Sequence, residues 1–167
     1  MFVALKGVKM AVSKTNAMRM LDSKKVNYTT LNYDSNDGKI DGVSVANKIN
    51  KDPELVYKTL VSISQSKAIY VFVIPVEKEL DLKLAAKAAG EKKVELLPVK
   101  DLLASTGYVR GGCSPIGMKK QYPTFIEESV NNIEEIIVSG GKIGIQLQLN
   151  AKDLIQSTRS KIAKISK

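Results

Sequence analysis

Lys58 is the residue of this sequence best suited to proton or charge chemistry, because most of the usual catalytic residue types are missing. The chain has no histidine and a single cysteine, Cys113. A Ser-His-Asp triad, a Cys-His pair and a histidine-ligated zinc site are therefore excluded. An enzyme built on this chain must rely on backbone amides, hydroxyl groups, the Lys58 ammonium and the substrate itself.

The segment around Lys58 predicts a buried strand. It reads VYKTL over residues 56–60 and begins an apolar run without a clear polar face, which is typical of a strand covered on both sides. A lysine there pairs with a carboxylate, coordinates carbonyl groups or faces a ligand cavity, because an isolated buried charge is costly. A lysine at the strand end that extends its ammonium into solvent fits the pattern as well.

Two glycine pairs, each close to a serine, are the second chemical feature. Gly111-Gly112 lies in a loop over residues 105–117 that holds four glycines and a proline, and Gly140-Gly141 directly follows Ser139. Consecutive glycines let main-chain N–H groups approach a carbonyl oxygen or a phosphate closely. Either segment is also compatible with a plain turn, and neither fits a P-loop or a dinucleotide-binding fingerprint.

Cys113 is not predicted to be a nucleophile. It has no histidine to deprotonate it, and only Arg110, Lys119 and Lys120 lie near it in the sequence as cations. We expect it to be a small apolar residue of the first glycine loop.

Composition predicts a globular domain with an anionic partner. The net charge of +9 and the pI of about 9.5 favour RNA, DNA or anionic lipid. A lone cysteine cannot form an internal disulfide, which favours a cytoplasmic location. The longest apolar stretch, residues 68–76, contains Pro75 and is too short to span a bilayer. No membrane association, metal or cofactor is predicted.

The hydrophobic pattern predicts one α+β domain. Residues 1–13 are an extension or a leader, and residues 14–167 form the domain. Helices are predicted over residues 15–25, 43–49, 81–89 and 98–104 and from residue 150, and strands over residues 28–34, 56–64, 68–75, 93–97, 122–126, 134–138 and 143–149. Several strand pairs are too close for helical crossovers, which indicates a mixed, mostly antiparallel sheet flanked by helices. The basic residues 159–167 are typical of a solvated helix face or a short membrane-surface helix.

Several short segments, taken in order, resemble the YbaK/EbsC family of aminoacyl-tRNA deacylases over about residues 14–165. The segments are VYKTL at 56–60, Pro75 with LDLK at 80–83, KKVE at 92–95, STGY at 105–108, GGCSPIG at 111–117, PT at 123–124 and VSGGK at 138–142. The resemblance implies a barrel-like sheet, as in the editing domain of bacterial prolyl-tRNA synthetases. It also implies trans-editing of mischarged tRNA, with Cys-tRNA(Pro) as the expected substrate.

The resemblance further implies which residues form the site. Lys58 matches the key lysine of the family, and the amides of Gly111 and Gly112 would contact the oxyanion. The residues expected to contact the substrate are Tyr33, Thr59, Cys113, Ser114, Pro115, Ser139, Gly140, Gly141 and Gln146. The chain departs from the family pattern at Gln146, where an acid is common, and at Ile40 or Asp41, where an aromatic residue is expected before Gly42.

The mechanism implied by the resemblance needs little from the protein. The thiol of a cysteinyl ester attacks its own carbonyl and releases the tRNA and a cyclic thiolactone, so that the protein must only hold the ester and stabilise the oxyanion. Deacylation of another small amino acid, such as alanine, is an alternative. Another alternative is a non-catalytic module that binds the acceptor end of tRNA and a synthetase, such as prolyl-tRNA synthetase. A role in envelope composition, for which some relatives are named, is a third.

Overall fold

The computed structural model describes residues 13–167, so that the predicted extension lies outside the described residues except for Ser13. The elements in chain order are α1 (Asn16–Ser23), β1 (Tyr28–Asn32), α2 (Gly42–Lys48), β2 (Tyr57–Ser64), β3 (Ile69–Pro75), α3 (Leu82–Ala89), β4 (Val94–Leu96), α4 (Val99–Thr106), β5 (Thr124–Glu127), β6 (Glu135–Lys142), β7 (Ile145–Asn150), α5 (Ala151–Thr158) and β8 (Lys161–Ala163). Short 3-10 segments cover Pro53–Leu55 and Glu128–Asn132. Within this part of the chain, no helix has the length and apolar character needed to cross a membrane.

The strands form two sheets, which confirms the mixed, mostly antiparallel α+β prediction. One sheet has the order β1-β7-β6 and the other has the order β4-β2-β3-β5-β8. The pairs β3–β5 and β5–β8 are parallel, and the remaining pairs are antiparallel. A parallel bridge between Val56 and Ile137 joins the sheets. The barrel-like arrangement is therefore open rather than closed.

Three apolar clusters hold the sheets and helices together. The largest lies between α1 and the sheet strands and includes Leu21, Tyr57 and Leu147. A second cluster packs α3 against β3 and β5. The third contains Val56 and Val76 and fixes α2 at the junction of the two sheets. The start of β2, which carries Lys58, is thus supported from both sheets.

The prediction that residues 159–167 are helical was wrong. Arg159 has a left-handed φ of 54° and ends α5, after which β8 pairs in parallel with β5. The buried carboxylate of Glu127 accepts hydrogen bonds from the backbone N–H groups of Ile165 and Ser166, at 2.9 and 2.8 Å, and from the Ser166 hydroxyl at 2.8 Å. These contacts favour an extended tail because they satisfy backbone groups that a helix would bond internally.

Strand β6 is longer than predicted and runs on to Lys142. Its pairing with β7 is regular up to Ser139, opposite Gln146, and then shifts in register before Lys142. Gly140-Gly141 therefore forms a bulge inside the strand, and the hairpin turn follows at residues 143–144. A bulge of this kind changes the direction in which neighbouring side chains point.

The first glycine loop is fastened to the core by Tyr108. This residue is 4% exposed, and its hydroxyl donates a hydrogen bond to the Ile116 carbonyl at 2.6 Å. The bond spans the Gly111-Gly112 turn, and the Ser114 hydroxyl accepts a further bond from the Ile116 N–H at 3.2 Å. The loop is therefore a fixed structure rather than a free surface turn.

Replacement of Tyr108 by phenylalanine tests the fastening of this loop. The ring remains, but the buried Ile116 carbonyl loses its partner, so we expect the free energy of unfolding to fall by about 1–3 kcal/mol. Urea denaturation measures this change. Tyr28→Phe is the matched control, since it removes a hydroxyl bonded to Asp22 at the surface and should cost less than about 1 kcal/mol. Equal losses for the two variants would contradict a special role for the Tyr108 bond.

Candidate functional site

A cavity of about 640 Å³ opens where β2, the N-terminal end of α2, the first glycine loop and the β6–β7 pair meet. Its volume lies within the usual range for small-molecule sites. Half of the twelve residues predicted for the site line this cavity, namely Lys58, Thr59, Gly111, Cys113, Ser139 and Gln146. The glycine loop and the β6 bulge thus converge on the strand that carries the lysine.

Lys58 contributes a half-buried cation to the cavity. Strand β2 places it opposite Ile74 of β3. Among residues 13–167, its ammonium has neither an ion-pair partner nor a hydrogen-bond acceptor. Burial lowers the pKa of Lys58 from 10.5 because it removes water from the charged form, and the negative charge of Glu79 partly opposes this shift. An ammonium in such a position can bind a carbonyl oxygen, a hydroxyl group or a phosphate.

Thr59 adds an unused hydroxyl beside the lysine. Its Oγ1 atom is buried and has no hydrogen-bond partner among the described residues. A buried hydroxyl without a partner costs free energy, which a ligand with a suitable polar group would restore. Lys58 and Thr59 both line the cavity, although their side chains point to opposite faces of β2.

In the turn over residues 109–112, the N–H group of one glycine is free and that of the other is hydrogen-bonded. Gly111 has a φ of 84°, in the left-handed region that favours glycine, and its N–H has no acceptor among the described residues. The Gly112 N–H donates to the Val109 carbonyl at 2.9 Å and closes the turn. The expectation that both amides are available for an oxyanion is wrong for Gly112, because this hydrogen bond already uses its donor.

Ser139 and Gln146 form a polar pair on the opposite wall. They are direct partners in the antiparallel β6–β7 pairing, so their side chains lie on the same face. The Ser139 Oγ atom accepts a hydrogen bond from the Gly141 N–H at 3.2 Å, which leaves the hydroxyl proton available to a ligand. Gln146 is 6% exposed and presents an uncharged amide where the resembling family commonly has an acid.

The other predicted residues lie outside the cavity lining, and several of them support the backbone. The Gly140 carbonyl accepts a bond from the Thr15 hydroxyl at 2.6 Å, and a β-carbon at Gly141 would lie 2.9 Å from the Tyr108 ring. Ser114 and Pro115 are buried within the loop. Tyr33 has a buried hydroxyl without a partner among the described residues, and the Lys48 ammonium lies 5.9 Å from its ring centre.

Cys113 lines the cavity but is poorly suited to nucleophilic attack. It is 8% exposed, and burial raises the pKa of its thiol to about 12, against a smaller opposing effect of the Thr106 side chain. The sulfur therefore stays protonated at neutral pH. A protonated thiol is a weak nucleophile, which agrees with the interpretation of Cys113 as an apolar lining residue.

The apolar part of the cavity lining, here called the floor, was not identified from the sequence. Val45, Val56 and Val76 form part of the lining, and Val56 and Val76 belong to the third apolar cluster. Gly42 brings α2 close to this floor, since a β-carbon there would lie 2.4 Å from the Val76 Cγ1 atom. The sequence feature that could have indicated this contact is Asp41-Gly42 before an apolar helical repeat. This pair is typical of a helix start at which close packing is possible.

The lining of the cavity has more positive than negative side chains. Lys58 and Arg110 are the two cations of the lining, and Asp41 is its one carboxylate. The Asp41 carboxylate already accepts hydrogen bonds from the Ser44 N–H at 3.1 Å and the Ser44 hydroxyl at 2.7 Å, and these bonds lower its pKa. The described residues contain no group of three or more potential acidic, histidine or cysteine metal ligands. The cavity is therefore suited to a ligand with acceptor or anionic groups.

A second and larger cavity, of about 940 Å³, lies between Tyr57, the 3-10 segment after β5 and the C-terminal tail. Acidic residues such as Glu77 and Glu128 mix there with Lys78 and Lys164. None of the predicted site residues lines it, and the Tyr57 hydroxyl is hydrogen-bonded to that of Ser129 at 2.6 Å. The smaller cavity is the stronger candidate because its polar groups are unsatisfied.

Known proteins with similar sequences and folds are consistent with this site. The family model described as the aminoacyl-tRNA editing domain matches residues 40–156. A protein of Enterococcus faecalis, provisionally named Cys-tRNA(Pro)/Cys-tRNA(Cys) deacylase EbsC, is 45% identical over 153 residues, which cover 92% of this chain and 93% of that protein.

Two solved structures show that the fold is shared. A protein provisionally described as a trans-editing enzyme for prolyl tRNA synthetase superposes with a TM-score of 0.79 at 17% identity, over 98% of this chain and 99% of that chain. A protein described as hypothetical gives a TM-score of 0.82 at 19% identity, over 91% and 99% of the two chains. The family match and the close relative confirm the resemblance seen in the sequence motifs, and the chain belongs to the aminoacyl-tRNA editing domain family.

Proposed function

We propose that this protein is a trans-editing deacylase that removes cysteine from mischarged Cys-tRNA(Pro) with the help of the substrate thiol. The observation that carries the proposal is the Lys58 ammonium, which lacks a partner among the described residues and shares one cavity with the free Gly111 N–H. The similarity to the Enterococcus faecalis relative, provisionally named Cys-tRNA(Pro)/Cys-tRNA(Cys) deacylase, supports the same substrate class.

The ester carbonyl is the group that needs stabilisation. As a nucleophile adds to it, negative charge develops on the carbonyl oxygen, and fixed donors around that oxygen lower the barrier. The Gly111 N–H is one such donor, since the turn closed by Gly112 fixes its position. Lys58 either donates to the same oxygen or holds the free ribose hydroxyl of the terminal adenosine. Both roles need a charged ammonium and no proton transfer.

The substrate supplies the nucleophile. The cysteinyl sulfur forms a bond to the ester carbonyl carbon, the bond from that carbon to the adenosine oxygen breaks, and the thiol proton ends on the released ribose hydroxyl. The products are intact tRNA and a cyclic thiolactone of cysteine. An intramolecular attack of this kind benefits from being held in a reactive conformation. It requires no histidine and no deprotonated Cys113 from the protein.

The cavity walls suit a small amino acid. Val45, Val56 and Val76 offer an apolar surface, whereas Ser139 and Gln146 offer hydrogen bonds to the α-amino group. The side-chain carbonyl oxygen of Gln146 is able to accept a hydrogen bond from this amine. Recognition of the tRNA body is left to a partner, for which prolyl-tRNA synthetase is the candidate.

Lys58→Met tests the role of the ammonium in catalysis. The substitution keeps most of the length of the unbranched side chain and removes its charge, so we expect kcat/KM for Cys-tRNA(Pro) to fall by about 100-fold or more. Lys152→Met is the matched control, because this exposed lysine of α5 does not line the cavity, and its activity should stay within about twofold of the parent. Parent-like deacylation by a folded Lys58→Met protein would refute the role of Lys58.

The same variant makes a prediction about stability and pH. The pKa of Lys58 is lowered in the folded state from 10.5, so the buried charge destabilises the fold at neutral pH. This cost disappears as the pH rises from the folded-state pKa to the unfolded value. We therefore expect Lys58→Met to be more stable than the parent at neutral pH and to lose that advantage towards pH 10.5. Urea denaturation across this range measures the difference, and a pH-independent difference would contradict the assignment.

Substrate variation tests the thiol mechanism. We expect rapid loss of the ester from Cys-tRNA(Pro) and little from Ala-tRNA(Pro), Ser-tRNA(Pro) or a Cys-tRNA(Pro) whose thiol is methylated. The rate should rise with pH through the ordinary thiol pKa of about 8.5, equally in the parent and in Cys113→Ala. Equal turnover of the methylated substrate would show attack by water. Turnover of Ala-tRNA(Pro) would reassign the substrate, and tight binding without turnover would indicate a tRNA-binding module.

A further inference from the structure

Arg110 occupies the corner of the turn at the mouth of the cavity. In the turn over residues 109–112, the Gly112 N–H bonds to the Val109 carbonyl at 2.9 Å, and Gly111 has a φ of 84°. Arg110 is therefore the second residue of a tight turn whose third residue has the positive φ of a type II turn. Its backbone is held fixed, while its side chain is exposed and lines the cavity.

Three segments meet at this turn, and each carries an exposed cation. A β-carbon at Gly111 would lie 2.7 Å from the Ile40 Cδ1 atom and 3.5 Å from the Ile143 Cγ1 atom. The segment before α2 and the β6–β7 hairpin therefore border Arg110. Lys39 precedes Ile40 and Lys142 precedes Ile143, and both lysines are exposed. Lys39, Arg110 and Lys142 are called the rim, and this set places positive charge on each of the three segments.

The acids near this rim are already engaged. Asp37 forms an ion pair with Lys48 at 2.7 Å, and the Asp41 carboxylate caps α2 through Ser44. Among residues 13–167, none of the three rim cations has a carboxylate within ion-pair distance. The rim therefore offers free charge-assisted donors to a ligand that extends out of the cavity.

We propose that Arg110 binds the phosphodiester on the 5′ side of the terminal adenosine of tRNA. This inference rests on the proposed function, which places the aminoacyl ester inside the cavity. The phosphodiester is then the first anionic group of the tRNA outside the reacting ester. A planar guanidinium binds two phosphate oxygens at once, which a lysine does not. Lys39 and Lys142, on the neighbouring segments, are the candidates for contact with the phosphates that follow.

Arg110 is a positioning residue in this scheme and does not touch the reacting atoms. Its contact forms equally in the ground state and in the transition state, so it should act on KM and not on kcat. One lost phosphate contact should also weaken the salt dependence of binding by about 0.7–0.9 in the slope of log K against log salt. Substitution of a residue with a purely structural role would not selectively change KM or the salt dependence of binding.

Arg110→Gln tests the contact with two substrates that share the same ester. Cys-tRNA(Pro) carries the phosphodiester, whereas 2′(3′)-O-cysteinyl adenosine does not. We expect KM for Cys-tRNA(Pro) to rise by about tenfold with unchanged kcat, and the kinetics of cysteinyl adenosine to stay the same. Arg110→Lys should lie between the parent and Arg110→Gln. Lys152→Gln, which removes the same charge away from the cavity, should behave as the parent with both substrates.

Other outcomes separate the two proposals. If the parent cleaves both substrates and Arg110→Gln matches it on Cys-tRNA(Pro), the phosphate contact is refuted and the proposed function stands. If Arg110→Gln lowers kcat equally on both substrates, Arg110 acts on the reacting ester and the phosphate assignment is wrong. If the folded parent cleaves neither substrate, the proposed function fails and the inference fails with it.

Discussion

The site depends on an ammonium that is held at the junction of the two sheets without an ion-pair partner among the described residues. Lys58 sits near the bridge between Val56 and Ile137, where burial lowers its pKa and no described acid pairs with it. Apolar packing beneath it provides the free energy that allows this arrangement, because the Val56 and Val76 cluster is well buried. A lysine paired with an acid would destabilise the fold less, but its ammonium would already be engaged and would not be free to bind a ligand. The fold thus keeps a charge available for a ligand.

The backbone around that charge is held by close contacts that only glycine permits. A β-carbon at Gly112 would lie 2.9 Å from the Ile143 nitrogen, and one at Gly117 would lie 2.8 Å from the Asn16 backbone. These contacts fix the first glycine loop against the β6–β7 hairpin and against α1. The Gly111 N–H consequently has a set position, and a fixed donor is what the proposed oxyanion contact requires.

Sequence patterns were sufficient for the elements and insufficient for the roles of single atoms. Capping residues such as Asp81 and the period of the strands located most helices and strands to within a few residues. The hydrogen bond that occupies the Gly112 amide depends on the turn geometry, which residue types do not specify. The bulge after Ser139 and the extended tail held by Glu127 depend on partners distant in the chain. Periodicity within one segment carries no information about such partners.

A nucleophile supplied by the substrate changes where specificity arises. A pocket discriminates poorly between side chains of similar size, such as those of cysteine, serine and alanine, but only cysteine carries a thiol able to cyclise. The proposed mechanism would therefore spare Pro-tRNA(Pro), which lacks a thiol, with little demand on the shape of the cavity. The same chemistry cannot distinguish Cys-tRNA(Pro) from correctly charged Cys-tRNA(Cys), since the acyl group is identical. A phosphodiester held by Arg110 is also common to all tRNAs. Under the proposed mechanism, protection of Cys-tRNA(Cys) must then come from recognition of parts of the tRNA other than the reacting ester and the terminal phosphodiester. This need is the reason why a partner that reads the tRNA body forms part of the proposal.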